Sequence, residues 1–137
     1  MSDKWSRCSL RISSDKRSCE SISKVLKAEP SSAANRGDPT SKHAPASGVR
    51  ELSSWILESG VGTTQSLEEH LGALLPFVEA HAEGLQQLAE DCKLEIFCGF
   101  SSGNGQGGFV IEHDLLRRIG EVGLDIVLDL YPPEREE

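Results

Sequence analysis

Three carboxylates, one histidine beside a glycine run and four cysteines are where this 137-residue chain could carry chemistry. Asp125 and Asp129 stand four apart in a stretch that alternates apolar and polar residues, so on an extended strand they share a face, and Glu95 in a second alternating stretch can join them. Three carboxylates on one sheet face would bind a cation or raise one another's pKa for acid–base work; the plainer reading is the solvated side of an antiparallel sheet. His43, His70, His81 and His113 offer ligands or a base, but no two have His-x-x-x-His spacing, so no metal site is expected. His113-Asp114 opens a predicted helix near the glycine run and is the best placed for acid–base chemistry, although helix capping by Asp114 explains the pair as well.

Gly103-Asn104-Gly105-Gln106-Gly107-Gly108 satisfies G-x-G-x-x-G literally. In a dinucleotide-binding fold those glycines open a helix within a parallel β-α-β unit; here they are expected to precede a strand with no parallel unit following, so they read as a hairpin connection and no cofactor is predicted. Ser53, Ser54 and Ser59 flank Trp55 without the Gly-x-Ser-x-Gly elbow of a hydrolase. Trp55 shares a face with Leu57 and reads as a core anchor, with a binding platform on the sheet as the sharper alternative. Cys8, Cys19, Cys92 and Cys98 are separated by eleven, seventy-three and six positions, which gives no Cys-x-x-Cys pair and suggests reduced, buried thiols.

The elements that must position these residues follow from periodicity. Cys8, Leu10 and Ile12 alternate with Ser9, Arg11 and Ser13, a half-buried strand. Ser18 is a plausible N-cap for a short helix carrying Ile22, Val25 and Leu26 and ending before Pro30. Residues 30–48 are rich in Ser, Ala, Gly and Pro and read as a flexible loop with room for a short edge strand. Extended chain resumes after Val49 through Glu58. Ser66-Leu67-Glu68-Glu69 is a capping box opening a helix with an apolar stripe of Leu67, Leu71, Leu74, Leu75 and Val78. Pro76 should kink it or start a second helix. Leu94 to Phe100 alternates, Phe109-Val110-Ile111 should return as the partner strand of a hairpin, a helix follows with Gly123 as its stop, and Leu124 to Tyr131 alternates again. Strands with one apolar face argue for an α+β fold, a mainly antiparallel sheet with helices packed on one face, in a single domain over residues 1–137 with an exposed tail at 132–137.

Composition bounds the function. At 26% charged and 37% hydrophobic the chain fits a soluble globular protein, and no apolar run approaches the roughly 20 residues that span a bilayer. The opening residues have no apolar signal core, so a cytoplasmic location is expected and no membrane contact. Residues 1–50 carry ten Lys/Arg against five Asp/Glu, whereas 51–137 carry four against seventeen, and the total is −8. Such a balance disfavours nucleic acid. The two blocks either complement each other across the sheet or leave an acidic face for a basic partner protein.

Several segments together resemble one bacterial family, that of the domain of unknown function 4279. They are Ser9-Leu10-Arg11-Ile12, Ile22 to Leu26 followed by Pro30, Gly37-Asp38, Trp55-Ile56-Leu57-Glu58-Ser59, Ser66 to Leu75, and Gly108 through Asp129-Leu130-Tyr131. The match runs nearly end to end and departs from the pattern in the long Ser/Ala-rich segment from Pro30 to Gly48. The resemblance implies a small bacterial α+β domain and brings no catalytic residues. The function expected from the residues is a non-enzymatic protein-binding module, immunity-like by analogy, that uses the acidic sheet face of Glu95, Asp125 and Asp129 or the 30–48 loop. The alternative is a small-molecule binder or enzyme with a pocket formed by Trp55, Gly105 and His113. Homodimerisation through a sheet edge is a third possibility, and the sequence leaves the oligomeric state open.

Overall fold

A computed structural model describes residues 4–40, 48–102 and 108–131. Its strands are β1 (Trp5–Ser14), β2 (Ser32–Ala34), β3 (Ser53–Glu58), β4 (Lys93–Ser101) and β5 (Asp125–Leu130); its helices are α1 (Cys19–Leu26), α2 (Leu67–Ala80), α3 (Ala82–Leu88) and α4 (His113–Val122). The strands form one sheet in the order β2-β3-β1-β4-β5, antiparallel throughout except for the parallel pair β4–β5. The helices pack against one face, which makes the fold α+β.

Alternation decides which face is buried. Leu10 and Ile12 of β1, Trp55 of β3 and Ile96 of β4 are wholly enclosed together with Ile22, Leu71, Leu75, Val78, Leu85 and Leu88 of the helices. The caps fall where the sequence puts them. Ser18 accepts from the Ser21 amide at 3.1 Å, Ser66 from the Glu69 amide at 3.2 Å, and Gly123 closes α4 in the left-handed region at φ +87°, where a side chain would be strained. Asp114 does not cap α4: Glu112 is the N-cap residue, without a side-chain cap bond, and Asp114 pairs instead with Arg117 at 2.7 Å.

Three expectations are corrected. Phe109-Val110-Ile111 forms no strand, because β4 already has β1 on one edge and β5 on the other; the segment lies against the border of the core instead, with Phe109 and Ile111 half-buried, Val110 exposed and Phe109 edge-on to Phe100 at 5.3 Å. The expected absence of a parallel unit fails for the same reason, since α4 carries the chain from β4 to a parallel β5. Of the two outcomes expected at Pro76, the start of a second helix is not found, since α2 runs through Pro76 to Ala80. Pro76 and Gly72 both face solvent, so the Gly72 carbonyl deprived of its amide can bond to water. The break falls at His81, between α2 and α3.

Of the segment expected as a loop, Ser32–Ala34 pairs with β3, and Asn35 accepts from the Cys19 amide at 2.7 Å, tying the edge strand to the start of α1. Farther along, Arg50 donates its amide to the Asp38 carbonyl at 2.8 Å. Gly105 and the tail at 132–137 lie outside the described residues.

Candidate functional site

The face of the sheet away from the helices carries the side chains that alternate with the core. The registers place them in rows: Ile56, Arg11, Glu95 and Asp125 in one, Glu58, Ser9, Phe97 and Val127 in the next, then Arg7, Gly99 and Asp129. Glu95, Asp125 and Asp129 therefore do share a face, as spacing requires. That face is mixed rather than acidic, because the basic first half of the chain supplies its central strand. Arg7, Arg11 and Lys93 stand among Glu58, Glu95, Asp125 and Asp129. Much of the acidic excess sits on the helical side instead, at Glu68, Glu69, Glu79, Glu83, Asp114 and Glu121.

Two clefts open on the sheet face and meet at Arg11. One, of about 470 Å³, is lined by Trp5, Arg7, Ser9, Arg11, Glu58, Phe97, Gly99 and Tyr131. The other, of about 640 Å³, lies between Arg11, Lys93, Glu95 and the arm that carries Val49, Arg50 and Leu52. Both volumes suit a small ligand or a few residues of a partner. In the first cleft, aromatic rings and guanidinium groups are interleaved. The Arg11 guanidinium lies 4.1 Å from the centre of the Phe97 ring and that of Arg7 5.5 Å from Trp5, both within cation–π reach. Trp5 and Tyr131 meet at 5.0 Å, tilted by 49°. Gly99 forms the floor beneath them: a Cβ there would come within 3.3 Å of Trp5 and 3.5 Å of Tyr131. The Asp129 carboxylate beside the Tyr131 phenol holds its proton on more tightly than usual.

Among the described residues, neither Arg7 nor Arg11 has a carboxylate within ion-pair distance, unlike Arg17, Arg117 and Arg118, each of which has one. Glu95 is drawn to Lys93 at 3.9 Å. The Arg11 Nε is buried and has no hydrogen-bond acceptor. Asp125 and Asp129 line neither cleft. Among the described residues no group of three His, Cys, Asp or Glu could hold a metal ion.

Of the other residues singled out from sequence, Gly105 lies outside the described residues, and Trp55 and His113 share no cleft of the open face. Trp55 belongs to the core and faces the helices, with its indole Nε1 donating to Ser23 Oγ at 2.9 Å, so it is no platform on the open face. His113 is exposed at the start of α4 and lines neither cleft of the open face. One arrangement that the sequence did not single out resembles catalytic machinery: Ser59 Oγ lies 2.6 Å from His70 Nδ1. His70 is 1% exposed and burial lowers its pKa, so it is held neutral; the pair fastens the turn after β3 to α2. Cys8 and Cys98 face each other across β1 and β4 with sulfurs 3.2 Å apart, and that hydrogen bond and burial push the Cys8 thiol up, which keeps it protonated.

Sequence reasoning missed Trp5, Arg7, Arg11, Glu58 and Phe97 as site residues. The signal was present in the alternation itself, which places Arg7, Ser9 and Arg11 on the polar face of β1. What it lacked was the pairing that sets them beside Phe97 and Gly99. No helix among the described residues is long and apolar enough to cross a membrane. The family model described as a domain of unknown function (DUF4279) matches residues 3–133. No curated protein and no solved structure matches the chain.

Proposed function

We propose that this chain, which belongs to the DUF4279 family, is a protein-binding module that docks a partner on the open face of its sheet and performs no turnover there. The observation that carries the reading is the pair of arginines that have no ion-pair partner among the described residues, set among Trp5, Phe97 and Tyr131 in a concave surface that none of the described helices covers. Tryptophan, tyrosine and arginine are the residues that most often anchor protein interfaces, and here they sit at the centre with carboxylates around them. The complementary partner brings an anionic anchor to Arg7 and Arg11 and a basic surround to Glu95, Asp125 and Asp129. Non-catalytic binding is favoured because the one serine–histidine pair described, part-buried between the turn after β3 and α2, lines neither cleft. Four free thiols fit a reducing compartment such as the cytosol.

Affinity capture from cells that make the chain tests this, comparing the wild type with an Arg7→Glu/Arg11→Glu variant and with Glu83→Lys on the helical side. A stoichiometric protein held by the wild type and by the Glu83 variant, and lost from the double variant at unchanged melting temperature, is the expected result. Equal capture by all three removes the open face as the docking surface. Reversing Glu95, Asp125 and Asp129 together should weaken the same capture.

A further inference from the structure

We infer that Arg11 anchors a carboxylate site, and that the cleft takes a carboxylate carried beside a flat aromatic ring, as in a free aromatic acid or the C-terminal aromatic residue of a partner chain. The inference rests on reading the open face as the binding surface.

A guanidinium binds a carboxylate side-on through Nε–H and one Nη–H, two parallel bonds in one plane. This molecule already contains that geometry. Arg118 donates its Nε to Glu79 Oε2 at 3.0 Å and its Nη2 to Glu79 Oε1. Arg17 likewise uses Nε, on Asp91 at 2.8 Å. Arg11 presents the same fork with the Nε position unfilled and buried. Its guanidinium lies 4.1 Å from the centre of the Phe97 ring, and no hydrogen bond or ion pair among the described residues takes up its N–H groups. Glu95, opposite in the strand register, does not fill the fork because it leans to Lys93. An orphaned buried donor carries a desolvation cost, and an incoming carboxylate removes it.

The ring requirement comes from the walls. Phe97, Trp5 and Tyr131 line the cleft that contains Arg11, and Gly99 lets the last two close down on the strand. The choice of a carboxylate over a phosphate comes from the surround. Glu58 lines the cleft and Glu95 and Asp129 border it, so a dianion meets more repulsion than a monoanion.

The test titrates the folded chain with 3-phenylpropionate, 3-phenylpropanamide, phenyl phosphate, N-acetyl-glycyl-phenylalanine and the C-terminal amide of that dipeptide. Binding is read from calorimetry and from the NMR signal of the Arg11 Nε–H. Both acids are expected to shift that signal, with each amide weaker by about tenfold or more, the worth of a charge-assisted bidentate pair. Arg11→Lys keeps the charge, loses the fork and should forfeit a similar factor, whereas Glu95→Gln should bind more tightly. Tighter binding of the free acid than of the dipeptide names a small molecule as the source; the reverse order names a chain end. Equal binding of acid and amide, an unchanged affinity in the lysine variant, or phenyl phosphate bound more tightly than the acids overturns the proposal. The two readings fail separately. Acids that bind while Arg7→Glu/Arg11→Glu retains its protein partner overturn the docking reading alone; a partner lost while no acid moves the Arg11 signal overturns the carboxylate site alone.

Discussion

Arg11→Met and Arg17→Met make a matched pair, because both remove a partly buried guanidinium and only one of them breaks a satisfied contact. Methionine keeps an unbranched stem of similar reach, so the packing of the aliphatic part is largely retained. At Arg17 the change deletes the bond to Asp91 at 2.8 Å and the bond to Ser21 at 3.0 Å, and it strands a carboxylate whose pKa Arg17 holds below the usual range. A charge-assisted hydrogen bond contributes about 1.5–3 kcal/mol, and with both side chains about a quarter exposed we discount that to about 1–2 kcal/mol. At Arg11 the change deletes a cation–π contact at 4.1 Å, about 0.5–1 kcal/mol, and at the same time removes a buried Nε–H without an acceptor, a burden of about 1–3 kcal/mol. The two effects oppose each other, so Arg11→Met should be neutral to mildly stabilising. At roughly 3–5 °C per kcal/mol for a chain of this length, the Arg17 variant melts several degrees below the wild type and the Arg11 variant at or above it. Thermal unfolding by circular dichroism at pH 7 reads both. Equal losses in the two variants would make Arg11 a brace of the sheet and refute its role as a waiting donor.

Three further outcomes concern the core and the helix that covers it. Burial lowers the His70 pKa below 6.5, so the unfolded chain takes up a proton first as pH falls. Stability is therefore complete above that value and declines below it, by at most about 1.4 kcal/mol per pH unit until the folded-state pKa is reached. Urea midpoints at pH 7 and 5.5 should separate more for the wild type than for His70→Asn, and parallel slopes would assign the titration to another group. Trp55→Phe removes the 2.9 Å bond to Ser23 and leaves a void in a fully buried site; a loss of about 2–3 kcal/mol in chemical denaturation is expected, and a change near zero would contradict the core role. Pro76→Ala restores the amide that Gly72 lacks on the exposed side of α2, so the melting temperature should rise by an amount equivalent to about 1–2 kcal/mol, whereas a fall would show that the ring stabilises the helix there.

Alternation and capping made most of the fold legible. β1, β3, β4 and β5 each show one apolar row, and Ser18, Ser66 and Gly123 mark helix ends by chemistry that depends only on neighbours in sequence. Parallel pairing was not legible, because the alternation of Leu94 to Phe100 is the same whether the next strand runs with it or against it. That pairing also decided Phe109-Val110-Ile111, which has the residues of a strand but finds both edges of its expected partner β4 taken by β1 and β5. The site was half legible for the same reason. Glu95, Asp125 and Asp129 could be placed on one face from their own strands. Nothing local reveals that β1, from the basic half of the chain, lies in the middle of the sheet and puts Arg7 and Arg11 beside Phe97 and Gly99. Trp5 and Tyr131, far apart in sequence, meet only because β1 and β4 are antiparallel and β5 ends beside them.

The most direct measurement of the central claim is photo-cross-linking in the cells that make the chain, with the reactive residue placed at Glu58 on the rim of the aromatic cleft or at Glu83 on the helical side. The account predicts one discrete adduct with another protein from position 58, absent from position 83 and abolished by Arg7→Glu/Arg11→Glu. An adduct from position 83 alone, or one from position 58 that persists in the double variant, would contradict it.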